Sequence, residues 1–249
     1  MSRFTRSSNP TLRPEIFENY QTQASGSRTM TVNGAANKTF FLLLLAFVAA
    51  SFTWRMTLEN PGTAYSLMML GLIGGFITAL ITCFSIGSAR YTAPVYAVFE
   101  GLFLGAVSAV YNFRTEGIVL QALFLTFATA GGMLFLYRTG IVKVTEKFRA
   151  GLMAATMGVF FTLLFSFVLS MFGLVPPIYA GGVVGIIINL IIAGIAALNL
   201  ILDFDVIVRG AEVGAPEHFE WYAAFGLLVT LVWLYLEILR LLASLQRRD

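Results

Sequence analysis

The sequence predicts an all-α membrane bundle of seven spanning helices, and three observations carry that reading. Apolar residues make up 58% of the 249 positions. Charged residues make up only 12%, about half the share found in a soluble domain, and the mean hydropathy is +0.82. Apolar runs near the ~20 residues that a spanning helix needs recur from Thr39 to the C-terminus.

The runs fall at 39–57, 65–86, 93–112, 118–138, 149–172, 178–203 and 221–245. They lack the alternation of a barrel strand and are too long for one, which leaves the helix as the spanning form. Asn60-Pro61-Gly62 reads as a turn between the first two, and Gly173 with Pro176-Pro177 closes another hairpin. Glycines recur inside the spans. Gly101 and Gly105, and Gly181 and Gly185, have the small-xxx-small spacing that lets helix backbones approach closely.

Residues 1–38 are polar and rich in Ser, Thr, Asn, Arg and Gly. They read as a cytoplasmic, largely disordered tail ahead of one transmembrane domain over 39–249. Phe17 and Tyr20 leave a short interfacial helix as the other reading. The tail holds no apolar signal-peptide core, so the first span is expected to act as its own membrane signal. With seven spans, eleven of the sixteen Lys and Arg fall on the side of the N-terminus and five on the other. The expected location is the inner (cytoplasmic) membrane with the N-terminus in the cytoplasm. Arg247-Arg248 run against that rule at the far end.

Composition also excludes functions. Cys83 is the one cysteine, so no disulfide forms within the chain. His218 is the one histidine, which excludes a His-rich metal site. The net charge of +3 comes from loops and tails, and no basic stripe with interleaved aromatics marks a nucleic-acid surface. There is no Walker loop, no HExxH and no nucleophile elbow. The expectation is a non-enzyme without a cofactor.

Candidate functional residues are the acids within or beside the spans, because such acids are costly without partners. Asp203 and Asp205 stand two apart at the end of the sixth span, on different helix faces. Asn199 shares the face of Asp203, and Arg209 stands four after Asp205 and within its reach. Glu100 lies about 10 Å into the third span if that span starts at Ala93. It is either a neutral, hydrogen-bonded acid or part of a cation site. Glu220 opens the last span beside Trp221 and Tyr222, at the membrane level of the two aspartates. It suits a helix N-terminus as well as an ion site. Glu237 and Arg240, three apart, are expected as a structural ion pair. Asp203, Asp205 and Glu100 have compatible depths and are expected to cluster.

Leu200-Ile201-Leu202-Asp203-Phe204-Asp205-Val206-Ile207 and Leu234-Tyr235-Leu236-Glu237-Ile238-Leu239-Arg240-Leu241-Leu242, with the Glu-Gly pair at Glu100-Gly101, resemble the Bax inhibitor-1 family in its bacterial branch. The resemblance covers nearly the whole membrane portion. It implies a bundle with the last helix central and the other six around it. It also implies a pH-sensitive calcium leak, gated by an aspartate pair between the sixth and seventh helices. Asp203 matches the first aspartate, but Thr230 stands where the second should be. Asp205, Glu220 or Glu100 would have to substitute. The leading expectation is therefore a passive cation leak, with calcium at Asp203 as the expected ion. The rival is a non-transporting protein that restrains other membrane proteins, such as a quality-control protease. The expected partners are the lipid bilayer, calcium ions and other membrane proteins, with no nucleic acid. A proton-coupled transporter is disfavoured, since no inverted repeat or broken-helix pair is evident.

Overall fold

A computed structural model describes residues 28–173 and 182–246. Those residues form seven long helices and a 3₁₀ turn at Ile86–Ser88. They are α1 (Val32–Glu59), α2 (Pro61–Phe84), α3 (Ala89–Arg114), α4 (Ile118–Arg138), α5 (Glu146–Met171), α6 (Gly182–Glu212) and α7 (Phe219–Gln246). Each contains a stretch long and apolar enough to cross a bilayer. The protein is a multi-pass all-α membrane protein.

Local chemistry sets the helix ends. Thr31 caps α1 by accepting a hydrogen bond from the Gly34 amide at 2.9 Å, and Thr145 caps α5 through the Phe148 amide at 3.1 Å. Pro61 starts α2, where its missing N–H leaves nothing unpaired. Gly117, at φ 79°, makes the sharp entry into α4 that a side chain would oppose.

Three boundaries differ from the sequence reading. α1 starts at Val32 rather than 39, and Arg28 to Thr31 are held by bonds to the α6–α7 turn. Met30 N–H donates to Ala215 O at 2.7 Å, and Glu217 N–H donates to Arg28 O at 3.0 Å. Met30 is buried in the core. Most of the expected tail, with Phe17 and Tyr20, lies outside the described residues. α3 starts at Ala89, so Glu100 is about 17 Å along it. α6 runs nine residues past Asp203 to Glu212, about 13 Å. The aspartates are thus interior to the helix. The sequence reading ended it there because acids interrupt the apolar run, yet ion pairing of Asp205 allows the helix to continue.

α7 is the most buried span, with 61% of its apolar window covered. It packs against α1, α3, α4 and α6. One of its faces joins Ala196, Ala197 and Leu200 of α6 with Ile118 and Ala122 of α4. Another, through Ala224, Phe225 and Leu228, joins Leu42 of α1 and Tyr96 of α3. α2 packs on α1 and α3, and α5 packs on α6. The last helix is therefore central, flanked by four helices with two more outside them. Outward faces keep large apolar side chains such as Phe76, Phe124 and Phe165 exposed, as lipid requires.

The α1–α3 seam shows why small residues recur. A Cβ at Gly101 would collide with the Ala46 carbonyl, and one at Gly105 with the Ala50 carbonyl. Gly71 of α2 approaches the α3 backbone in the same way, with Phe99 O 2.6 Å from where its Cβ would lie. Gly131 and Gly132 face open space instead. Gly181, half of the second expected pair, lies outside the described residues.

Candidate functional site

The charged residues of the bundle separate into distinct junctions. The first ties the start of α1 to the start of α7. Glu220 is only 3% exposed. Its Oε1 accepts the Thr31 amide at 2.7 Å and the Thr31 hydroxyl at 3.1 Å. Its Oε2 pairs with the Lys38 ammonium. Lys38 also reaches Glu217 at 3.8 Å and lies 5.5 Å from the Trp221 ring centroid. Gly34 packs flat on the Glu220 carboxylate, with no room for a side chain. Glu220 thus acts as a buried anchor with its acceptors occupied.

The second junction is centred on Asp205, also buried. Its Oδ2 receives Arg149 of α5 at 2.8 Å and Arg209, one turn along α6, at 2.8 Å. Tyr137 of α4 donates to Oδ1 at 3.4 Å. Arg209 also donates to Val144 O in the α4–α5 turn at 3.3 Å. Three helices meet on one carboxylate, two of them bringing positive charge. Charge-assisted bonds of this kind are the means by which a bundle retains a buried acid.

Asp203, two residues earlier, has no such support. It faces Thr230 on α7. Thr230 is itself buried, and its hydroxyl donates to Gly226 O at 3.2 Å. Among the described residues, Asp203 Oδ2 is buried without a hydrogen-bond partner. Such an atom in a native fold calls for a water, an ion or a functional reason. Fourteen residues back along α6, Asn189 Nδ2 meets Ser244 Oγ at 3.2 Å, fourteen residues on from Thr230. One antiparallel register therefore runs the length of the α6–α7 contact. Asn199 has turned away from this seam. Its Nδ2 donates to Thr156 Oγ1 of α5 and to Ile195 O, both at 2.8 Å.

Glu237 is 1% exposed and receives both bonds from Arg240 Nη1, at 3.0 and 3.1 Å. In the α6–α7 register it lies two turns of α7 beyond Thr230, away from the level of Asp203. Glu100 sits at the α2–α3 interface. It interacts with Tyr96 one turn earlier, and its Oε2 lies 3.4 Å from where a Gly75 Cβ would be. Tyr96 in turn stacks edge-on against Phe225 of α7, with centroids 4.9 Å apart.

The expected cluster of Asp203, Asp205 and Glu100 therefore does not form. Asp205 faces α4 and α5, Asp203 faces α7, and Glu100 faces α2. Rotation about each helix axis was not readable from the sequence, and depth was read only coarsely: Glu100 lies deeper than expected, and Asp203 meets Thr230, ten residues on from Glu220 rather than at its level. Among the described residues no three His, Cys, Asp or Glu approach closely enough to hold a metal ion. Sequence reasoning missed Lys38, Thr31, Arg149 and Tyr137 as partners of the acids. Their only signal was a charge or hydroxyl near a span end.

The arrangement thus singles out the α6–α7 seam, where one acid meets a threonine and, among the described residues, no cation. Comparison with curated proteins and with solved structures found no match. The family described as Bax inhibitor 1 like matches residues 9–247, nearly the full length. With seven spans, a central last helix and an acid of α6 turned onto it, the chain belongs to the Bax inhibitor-1 family.

Proposed function

We propose that this protein is a passive cation leak, with calcium as its ion, controlled by the protonation of Asp203. One observation carries the reading: Asp203 Oδ2 is buried on the α6–α7 seam with no hydrogen-bond partner among the described residues. Asp205, Glu220 and Glu237 are each committed to a cation of the protein. Asp203 is free of such a commitment, so its charge is available to a passing ion or a proton. A lone carboxylate supplies too few oxygens for tight calcium binding, which suits passage better than storage.

Thr230 shapes the gate in this reading. It cannot share a proton as a second carboxyl would, so the pH response rests on one titrating acid instead of a coupled pair. The protein would act without catalytic chemistry, in an inner membrane, with the N-terminus in the cytoplasm.

Purified protein in vesicles loaded with a calcium-sensitive dye tests this. The wild type should leak calcium with a rate that changes across roughly pH 6 to 8, where perturbed functional carboxyls act. Asp203→Asn keeps the shape and removes the titratable charge, so its leak should lose that pH dependence. A flat dye trace for the wild type at every pH would remove the leak reading. The non-transporting modulator of other membrane proteins would then take its place.

A further inference from the structure

A second feature has none of the acids described above in its lining. A cavity of about 640 Å³ opens between α1, α3, α4 and α7, in the half of the bundle that carries the α3–α4 turn. That volume is in the range of small-molecule sites, about 300–1,000 Å³. α1 and α4 each pack on α3 and α7, which leaves the space between them. The cavity follows α1 from Leu43 to Trp54, about 16 Å of helix.

Its lining is mostly apolar along that length, with the few polar side chains weighted towards the α3–α4 turn. Leu43 and Leu228 lie at the end towards the bundle centre, with Leu104 midway. Ser51 and Trp54 of α1, with Asn112 and Glu116 at the α3–α4 turn, form the polar end. On the wall between them Ser108 and Tyr235 share a hydroxyl hydrogen bond of 2.6 Å, and both residues are buried. Phe47 and Leu120 on the lining are 62% and 72% exposed, so the side between α1 and α4 opens towards lipid. Glu116 is the one charged side chain in the lining, and Arg114, two residues before it, is not part of it.

We propose that this cavity binds a single-chain cationic amphiphile drawn from the bilayer. Its ammonium head lies by Glu116 and Asn112, and its alkyl chain lies along α1 towards Leu43. The length and apolar end fit a chain, the open side gives entry from lipid, and the lone negative charge selects the sign of the head. This site stands apart from the leak reading and uses none of its residues.

Trp54 offers a direct probe. The chain has three tryptophans, so Trp221→Phe with Trp233→Phe leaves Trp54 as the sole reporter. The doubly substituted protein, in neutral phosphatidylcholine nanodiscs, is titrated with a hexadecylammonium amphiphile brominated on its chain. Trp54 fluorescence should fall with saturation, and unlabelled amphiphile should restore it. A sulfate amphiphile with the same chain should need a higher concentration. Glu116→Gln should weaken ammonium binding about two- to fivefold, the scale of one exposed charge pair, and leave sulfate binding no weaker. Quenching that rises linearly with either amphiphile is ordinary partitioning and overturns the site. Saturable quenching without preference between the two heads overturns the assignment of a cationic ligand. If the double substitution misfolds, native mass spectrometry of the unmodified protein makes the same comparison. Equal retention of the two heads there also refutes the proposal.

Discussion

Two aspartates separated by one residue meet opposite fates because an α-helix turns about 200° between them. Asp205 is turned towards Arg149, Arg209 and Tyr137, and Asp203 towards Thr230. Their substitutions should therefore separate. Asp205→Asn removes the charge that holds two arginines, both partly exposed. It should destabilise the protein by about 1–3 kcal/mol, read from unfolding in mixed micelles. The pH dependence of the proposed leak should survive it. Asp203→Asn should do the reverse, abolishing that dependence with little effect on unfolding, since it carries no ion pair to lose. Equal unfolding losses in the two variants would contradict this division of roles.

Helix contacts follow from the same attention to faces. Gly105 lets α1 and α3 touch, and any side chain there meets the Ala50 carbonyl. Gly105→Leu should separate the two helices and cost at least the 1–3 kcal/mol of an overpacked core. Gly131→Leu should cost nothing measurable, because a Cβ there meets no atom within 4 Å. Thermal melts of the two variants in one detergent provide the comparison. The α1–α7 junction invites a different measurement. Glu220→Gln weakens the hold on Lys38 and Thr31. Amide exchange at Met30 and Thr31 should then rise well above the wild-type rate, while the middle of α7 stays protected. Unchanged exchange there would show that Met30 packing and the backbone bonds to the α6–α7 turn secure the segment without the Glu220 charge.

For the whole molecule, charge asymmetry predicts orientation. Eleven Lys and Arg lie on the N-terminal side against five on the other. An N-terminal reporter that is active only outside the cytoplasm should stay silent, and activity from it would reverse the topology. Much of the architecture was legible before any coordinates. The number of spans, their helical form and the polar turns follow from the absence of water in a bilayer, which leaves the backbone to satisfy itself. That constraint acts on each segment alone, so a single segment reveals it.

Placement around the helix axes was another matter. The acids were legible as exceptions to an apolar pattern, and the pairing distance of Glu237 and Arg240 lies within one helix. Arg209 of Asp205 was within local reach as well, but Arg149 of Asp205 and Lys38 of Glu220 lie 56 and 182 residues away, beyond any local spacing rule. Likewise, α6 runs on through both aspartates because Arg149 on another helix neutralises one of them. Sequence by itself determined that this chain is a seven-span membrane bundle with acids at a few costly positions. Tertiary structure decided that Asp205 and Glu220 are tied to cations of distant segments, that Glu100 meets Tyr96, and that Asp203 is left facing a threonine. The physical reason is that hydrophobic length acts along one helix, whereas the fate of a buried charge depends on what neighbouring helices bring to it.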